Sequence, residues 1–221
     1  MLEQHQNYQQ KKGLKNGGSR SCYNSNKYYD NIKYKQFQIN SFIQKNHKKK
    51  ELTVILDLDN TLISSFILKP DSNMCDFLFS LQDGNQTSTI GVIKRPNVDT
   101  FLMALSKYAT IYLFTAAKKE YVSEIIRQID PIGTYFTKIF TREHCIQVGD
   151  KKFKKDYSIC GTNMSRTLIV DDIPDNFKDY ANNGISVKPF VGGINDDDLA
   201  RVFKKIILLS CLEDVRTGIS M

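Results

Sequence analysis

No apolar run in the 221 residues approaches the roughly 18 needed for a membrane-spanning helix; the longest candidate is "IILLSCL" near the C-terminus. A helical span is therefore not expected. The opening stretch "MLEQHQNYQQKKGLKNGGSR" lacks the apolar segment of a secretory signal. The five cysteines, Cys22, Cys75, Cys145, Cys160 and Cys211, are odd in number and form neither a CxxC nor a Cys/His pair at metal spacing. Zinc coordination and a disulfide framework are thereby excluded, and reduced thiols in an intracellular compartment, nucleus or cytoplasm, are the expectation. No GxxxxGK[ST] occurs, so a nucleotide-binding ATPase of the P-loop kind is excluded.

A surplus of acidic charge is also missing, the formal net charge being +7. That surplus of base is not spread evenly. Residues 1–50 hold 11 Lys and Arg against 2 Asp and Glu, a net of +9, leaving 20 against 22, a net of −2, for residues 51–221. The first fifty residues are rich in Gln, Asn, Lys, Ser and Tyr and read as a flexible basic extension, because they cannot bury enough apolar surface to offset the entropy of ordering. The run "KNHKKK" is read as solvated. The rest carries no basic surplus, so direct nucleic-acid binding is not expected, and we take the chain as a monomer.

After residue 50, short apolar runs alternate with amphipathic segments. Strands are predicted at 52–56, 89–96, 110–115, 138–141, 167–172 and 184–188, and helices at 98–108, 118–129 and 195–212. Alternation of this kind implies an α/β fold with a parallel sheet and helices on both faces, with its site at the carboxyl ends of the strands. Between Leu62 and Lys94 only 31 residues remain. That is room for a small β flap and not for a large cap domain.

Three predicted strand ends carry polar residues: Asp57 and Asp59 after "LTVIL", Thr115 after "TIYLF", and Asp171 and Asp172 after "TLIV". Any one acidic strand end is explained by a cap or turn; their convergence is the signal. Four crowded carboxylates would raise one another's pKa unless a cation offset them, and a hard, oxygen-binding ion such as Mg2+ is the natural choice. The lysine run Lys151, Lys152, Lys154 and Lys155 could supply an ammonium. A nucleophilic carboxylate, a second carboxylate two residues on, a hydroxyl, a lysine and an acid pair suit phosphoryl transfer through an aspartyl phosphate. In that chemistry Asp57 attacks phosphorus, and Asp59 protonates the leaving oxygen and later takes the proton of water.

Other uses of these residues fit less well. As a calcium loop, "DLDNTLISSFIL" has Leu62 where glycine is needed. A phosphorelay receiver places its acid pair first in the chain, not last. Cys160 and Arg166 have the spacing of a cysteine phosphatase but lack the histidine and glycine-rich loop that accompany it. A domain that docks a phosphoprotein without catalysis remains the alternative, which Asp57→Asn distinguishes.

The segments "LDLDNTLISSF", "KRPNVDTFL", "YLFTAAKKEY", "FTREHC", "FKKDYSICG", "LIVDDIPDNF" and "DVR", in that order, resemble the catalytic domain of the RNA polymerase II C-terminal-domain phosphatases. The resemblance is to the small CTD-phosphatase and NLI-interacting-factor-like branch of the haloacid dehalogenase superfamily, over residues 51–217. It implies a Rossmann-like sheet of the haloacid-dehalogenase type and Mg2+-dependent hydrolysis of phosphoserine or phosphothreonine in proteins, the polymerase tail among them. By the same resemblance Asp57 is the phosphorylated nucleophile and Asp59 the general acid and base. Asp57, the Asp59 carbonyl, Asp172 and Asp171 are implied as the metal set, Asp172 being the more direct ligand. Thr115 and Lys155 fall on the phosphate-contacting hydroxyl and lysine, and Thr61 on the residue that holds the signature loop. Arg142, Phe66 and Tyr121 fall on substrate contacts. The chain departs from these relatives at Asn60, Ser64 and Asp172, where they carry Glu, His and Asn, and at Lys118, where they carry an apolar residue.

Overall fold

Every residue of "TVIL" lies against a neighbouring strand, and the run forms β1 (Thr53–Leu56) at the centre of a five-stranded sheet. In the computed structural model the described residues are 52–69, 75–150 and 152–220. The basic extension expected over residues 1–50 lies outside them. The sheet comprises β1, β5 (Thr110–Phe114), β6 (Phe136–Phe140), β9 (Thr167–Asp171) and β10 (Gly184–Ser186), in the order β10-β9-β1-β5-β6 and parallel throughout. The chain builds outward from β1 to β6, then crosses back to β9. That reversal between β1 and β9 is where open α/β sheets form their crevice.

Alternate residues of the strands separate two layers. Ile55, Tyr112, Phe114 and Ile169 pack with Tyr157, Cys160 and Phe177, which come from two 3-10 segments, Tyr157–Cys160 and Pro174–Asn183. Val54, Leu56, Leu168 and Val170, on the opposite side, are fully buried as well. There α1 (Val98–Leu105) and α3 (Asp198–Ser210) pack together through Phe101 and Phe203, whose rings meet edge to face at 6.3 Å. A third helix, α2 (Lys119–Ile129), follows β5 and buries Tyr121, Val122, Ile125 and Ile129. Both faces are thus covered, one largely by 3-10 turns.

The sequence reading placed these elements, with boundaries shifted by local hydrogen bonds. The first helix stops at Leu105 because the next amides, of Lys107 and Tyr108, bond three residues back and tighten the last turn. Strand β6 starts early, at Phe136, since the Asp130 carboxylate accepts from the amides of Thr134, Tyr135 and Phe136 and holds the preceding turn flat against the sheet. Helix α3 begins only at Asp198, whose amide donates to Asp196 Oδ1 at 3.1 Å. The hairpin β7 (Ile146–Gly149) and β8 (Lys152–Lys154) was not anticipated.

The small flap is present as a second, antiparallel sheet of β2 (Ile63–Ile67), β4 (Gln86–Lys94) and β3 (Phe77–Asp83), in that order. A two-residue loop joins β3 to β4, with Gly84 at φ +61°, the glycine-first arrangement that suits the twist of a hairpin. At Gly91 a Cβ would come 2.8 Å from the Phe66 ring, so the glycine lets that ring lie flat on the neighbouring strand.

Arg95, just after the flap, is 1% exposed. Its guanidinium makes a two-point contact with Asp196 at 2.8 and 2.9 Å, and donates to the carbonyls of Thr61 at 3.0 Å and Lys188 at 2.8 Å. It also lies over the Phe190 ring, whose residue's amide donates to the Asn60 carbonyl at 2.7 Å. One side chain thereby ties the flap's exit, the loop after β1 and the approach to α3. Arg95→Met keeps much of the packed stem but strips Asp196 and two carbonyls of their donor, and should cost about 3–5 kcal/mol of unfolding free energy. Urea denaturation followed by circular dichroism reads this as a lower midpoint; a midpoint equal to that of the wild type would refute the role given to Arg95.

Candidate active site

Because β1 and β9 are parallel and Leu56 lies opposite Val170, Asp57 and Asp171 come next in the same row and project from the same face. The ladder continues past the strand end, the Asp57 amide donating to the Val170 carbonyl at 2.9 Å. Asp172 follows directly. Carboxylate oxygens of Asp57, Asp171 and Asp172 all lie within 4.8 Å of one another, and the three residues are buried.

Lys155 reaches this cluster from the end of β8. Its ammonium donates to Asp57 Oδ1 at 2.6 Å and to Asp171 Oδ2 at 2.7 Å, and the side chain is only 3% exposed. Burial by itself would lower the ammonium's pKa, but the Asp171 and Asp57 carboxylates overcome that and hold it well above the ordinary lysine value. Asp171 is further fixed by the Ile173 amide at 2.8 Å and by Asn176 Nδ2 at 2.9 and 3.1 Å. Its oxygens are fully committed. Asp172 has no such set of donors.

One ammonium cannot balance three buried carboxylates. Burial, opposed by Lys155 and reinforced by Asp171 and Asp172, holds the Asp57 carboxyl well above the usual range. Asp172 is pushed up to about 7, by burial first and then by Asp171. Net negative charge concentrated on hard oxygens fits a hard divalent cation, and Asp57 and Asp172 are the carboxylates best placed to hold one.

Asp59 lies outside that trio and has different partners. Asn60 turns the chain at φ +59°, and the amides of Thr61, Leu62 and Ile63 converge on the Leu58 carbonyl at 3.3, 2.8 and 3.2 Å. Asn is among the few residues that take this conformation readily. The turn brings Asp59 against Tyr121 of α2, whose hydroxyl donates to Asp59 Oδ1 at 2.5 Å and lies 2.7 Å from Ser65 Oγ. Burial, and then the Asp59 charge, hold the Tyr121 phenol well above its usual pKa, so it stays a proton donor.

Among the other predicted positions, Thr115 is buried at the end of β5, where its amide donates to the Phe140 carbonyl and its Oγ1 accepts from the Ala117 amide at 3.1 Å. Arg142 wraps the turn after Thr115, Nε donating to the Ala116 carbonyl at 2.9 Å with the guanidinium over Phe153. Thr61 is fully buried and serves the loop through its carbonyl, on Arg95. Phe66 is half-buried on the flap. Sequence reasoning missed Ser65 and Asn176; the latter had a visible signal in "DDIPDNF", where a proline-initiated turn carries an amide back to Asp171. Tyr121, assigned to the substrate by resemblance, directs its hydroxyl to Asp59, a contact that the sequence did not reveal. Neither Cys145 nor Cys160 is an activated thiol: burial raises Cys145 and pushes Cys160 up to about 12.

Residues 52–216 match the family described as NLI interacting factor-like phosphatase. The chain is 31% identical over 171 residues to Nuclear envelope morphology protein 1 of Schizosaccharomyces pombe, covering 77% of this chain and 36% of that protein. It is 31% identical over 158 residues to CTD small phosphatase-like protein 3 of Caenorhabditis elegans, covering 72% of this chain and 54% of the relative. Identity to the human carboxy-terminal domain RNA polymerase II polypeptide A small phosphatase 2 is 30% over 168 residues, covering 76% and 60%. This chain therefore spans between about a third and three fifths of the length of these relatives. The fold is shared with the fission yeast RNA polymerase II CTD phosphatase Fcp1 bound to beryllium fluoride, at a TM-score of 0.55 and 22% identity over 83% of this chain and 57% of that one.

A divalent cation at the cluster should stabilise the folded chain by about 2.7 kcal/mol when present at a hundred times its dissociation constant. Differential scanning calorimetry with and without the ion reads this as a higher melting temperature, and Asp172→Ala, which leaves no oxygen ligand at that position, should lose most of the rise. An equal rise in both proteins would place the ion elsewhere.

Proposed function

The chain belongs to the NLI interacting factor-like phosphatase family, and from that premise we propose that residues 51–217 form a Mg2+-dependent protein serine/threonine phosphatase that works through an aspartyl phosphate on Asp57. The observation that carries this reading is the pairing of Lys155 with both Asp57 and Asp171 beside a separately held Asp59. A nucleophile and a proton carrier are thus kept apart, each with its own partners.

Bound between Asp57, Asp172 and the Asp59 carbonyl, Mg2+ would supply positive charge for the phosphoryl oxygens and relieve the repulsion among the acids. An Asp57 oxygen attacks phosphorus in line as the bond from phosphorus to the serine or threonine oxygen breaks. Asp59, protonated, gives its proton to that leaving oxygen. Water then enters, Asp59 takes its proton, and the bond from phosphorus to Asp57 breaks to release inorganic phosphate. Lys155 holds Asp57 in place and presents positive charge to the transferred group. Thr115 accepts from the Ala117 amide, which leaves its own hydroxyl proton for a phosphoryl oxygen. Asp171 orients Lys155. Tyr121 and Ser65 aim Asp59.

Among the described residues the insertion between Leu62 and Lys94 is a three-stranded flap and not a cap domain, which suits a phosphorylated residue on a protein chain. The names of the relatives make the RNA polymerase II C-terminal domain a candidate substrate and a nuclear setting a candidate location, with the cytoplasm open as well. No helix among the described residues is long and apolar enough to cross a membrane. We take the domain to act as a monomer without direct contact to nucleic acid.

Release of phosphate from a panel of phosphoserine and phosphothreonine peptides should require Mg2+ and should vanish in Asp57→Asn. No Mg2+-dependent release from any peptide would end the enzyme reading. Tyr121→Phe removes one donor from Asp59 and should lower kcat about tenfold, the equivalent of roughly 1.4 kcal/mol, with a smaller change in KM. A rise in KM at constant kcat would instead assign Tyr121 to substrate binding.

A further inference from the structure

The flap touches α2 at two places. Phe79 of β3 packs on Tyr121, ring centroids 5.9 Å apart, and Asp83 at the end of β3 receives Lys118 Nζ at 2.8 Å. Lys118 is the residue that opens α2, three positions after Thr115 and three before Tyr121, so the same connection from β5 into α2 carries all three residues. The Arg142 guanidinium lies close by, since it is bonded to the Ala116 carbonyl, and together Lys118 and Arg142 hold the Asp83 carboxyl below the usual carboxylate range, Lys118 contributing most. The Glu143 carboxylate is engaged nearby, accepting from Thr141 Oγ1 and from the Lys119 amide at the start of α2. Among the described residues Asp83 is the one carboxylate in an ion pair with Lys118.

That pair is open to water, its side chains 46% and 74% exposed, and a contact of this kind is among the weakest of ionic interactions. Asp83 sits where a two-residue turn reverses the strand, so the acid is presented at the flap's tip. A stronger or better-placed anion arriving with the substrate can replace it at little cost.

We propose that Lys118 forms a subsite for a second anionic group of the substrate, a carboxylate or a phosphate on a residue flanking the phosphorylated one, and that Asp83 fills this subsite in the free protein. This rests on the phosphatase reading above and names its preferred substrate class: phosphopeptides that are acidic or multiply phosphorylated.

The test measures affinity without turnover. Asp57→Asn is titrated, by fluorescence anisotropy, with phosphoserine peptides whose neighbouring positions carry glutamate, a second phosphoserine, alanine or proline. The glutamate or doubly phosphorylated peptide should bind about two- to fivefold more tightly than the alanine peptide, and the two arms separate carboxylate from phosphate as the preferred anion. Adding Lys118→Leu should abolish that preference. Adding Asp83→Asn should strengthen it, because the competing acid is gone. A pair that merely pins the flap would make both changes weaken binding alike, and that result overturns the proposal, as does equal affinity for all four peptides or binding to none. Loss of phosphate release by the wild type is read separately and bears on the phosphatase reading alone.

Discussion

Three carboxylates and one ammonium share a buried corner at the ends of β1 and β9, and much of the surrounding structure answers the problem of keeping them there. Lys155 is charged because it touches two acids, and Asp171 is held because Lys155, Asn176 and a backbone amide all donate to it. The residual negative charge falls on Asp57 and Asp172, which are therefore the places where a cation relieves the repulsion. The same imbalance explains why the acids sit on strand ends and not on loops: the β1 and β9 ladders fix their spacing against repulsion.

The flap gives a second layer of control. It is too small to seal the crevice, yet through Phe79 it braces Tyr121, which in turn holds Asp59. Asp59 is thus positioned partly by the flap. Asp57 is held instead by Lys155, which lies between β8 and the 3-10 segment that begins at Tyr157.

Much of this was legible in the sequence, for physical reasons. Buried parallel strands read as unbroken apolar runs, so "TVIL" and "TLIV" declared themselves, and their acidic ends followed. Amphipathic periodicity exposed α1, α2 and α3. What escaped was structure without a period. The 3-10 segments around Tyr157 and Phe177 and the short β7–β8 pair repeat nothing, and Lys155 was separable from its neighbouring lysines only by resemblance to relatives. The contact of Tyr121 with Asp59 escaped differently: an aromatic on the apolar stripe of a helix looks the same in sequence whether its hydroxyl serves water, a ligand or a carboxylate.

Arg95 reaches Asp196 across 101 residues of chain, and the Thr61 carbonyl across 34. One guanidinium thereby joins stretches of chain far apart in sequence, and the loop after β1 is tied through it to the approach to α3. A disturbance among residues 188–196 has a direct mechanical route to the turn that carries Asp59, although the acid cluster draws none of its carboxylates from there.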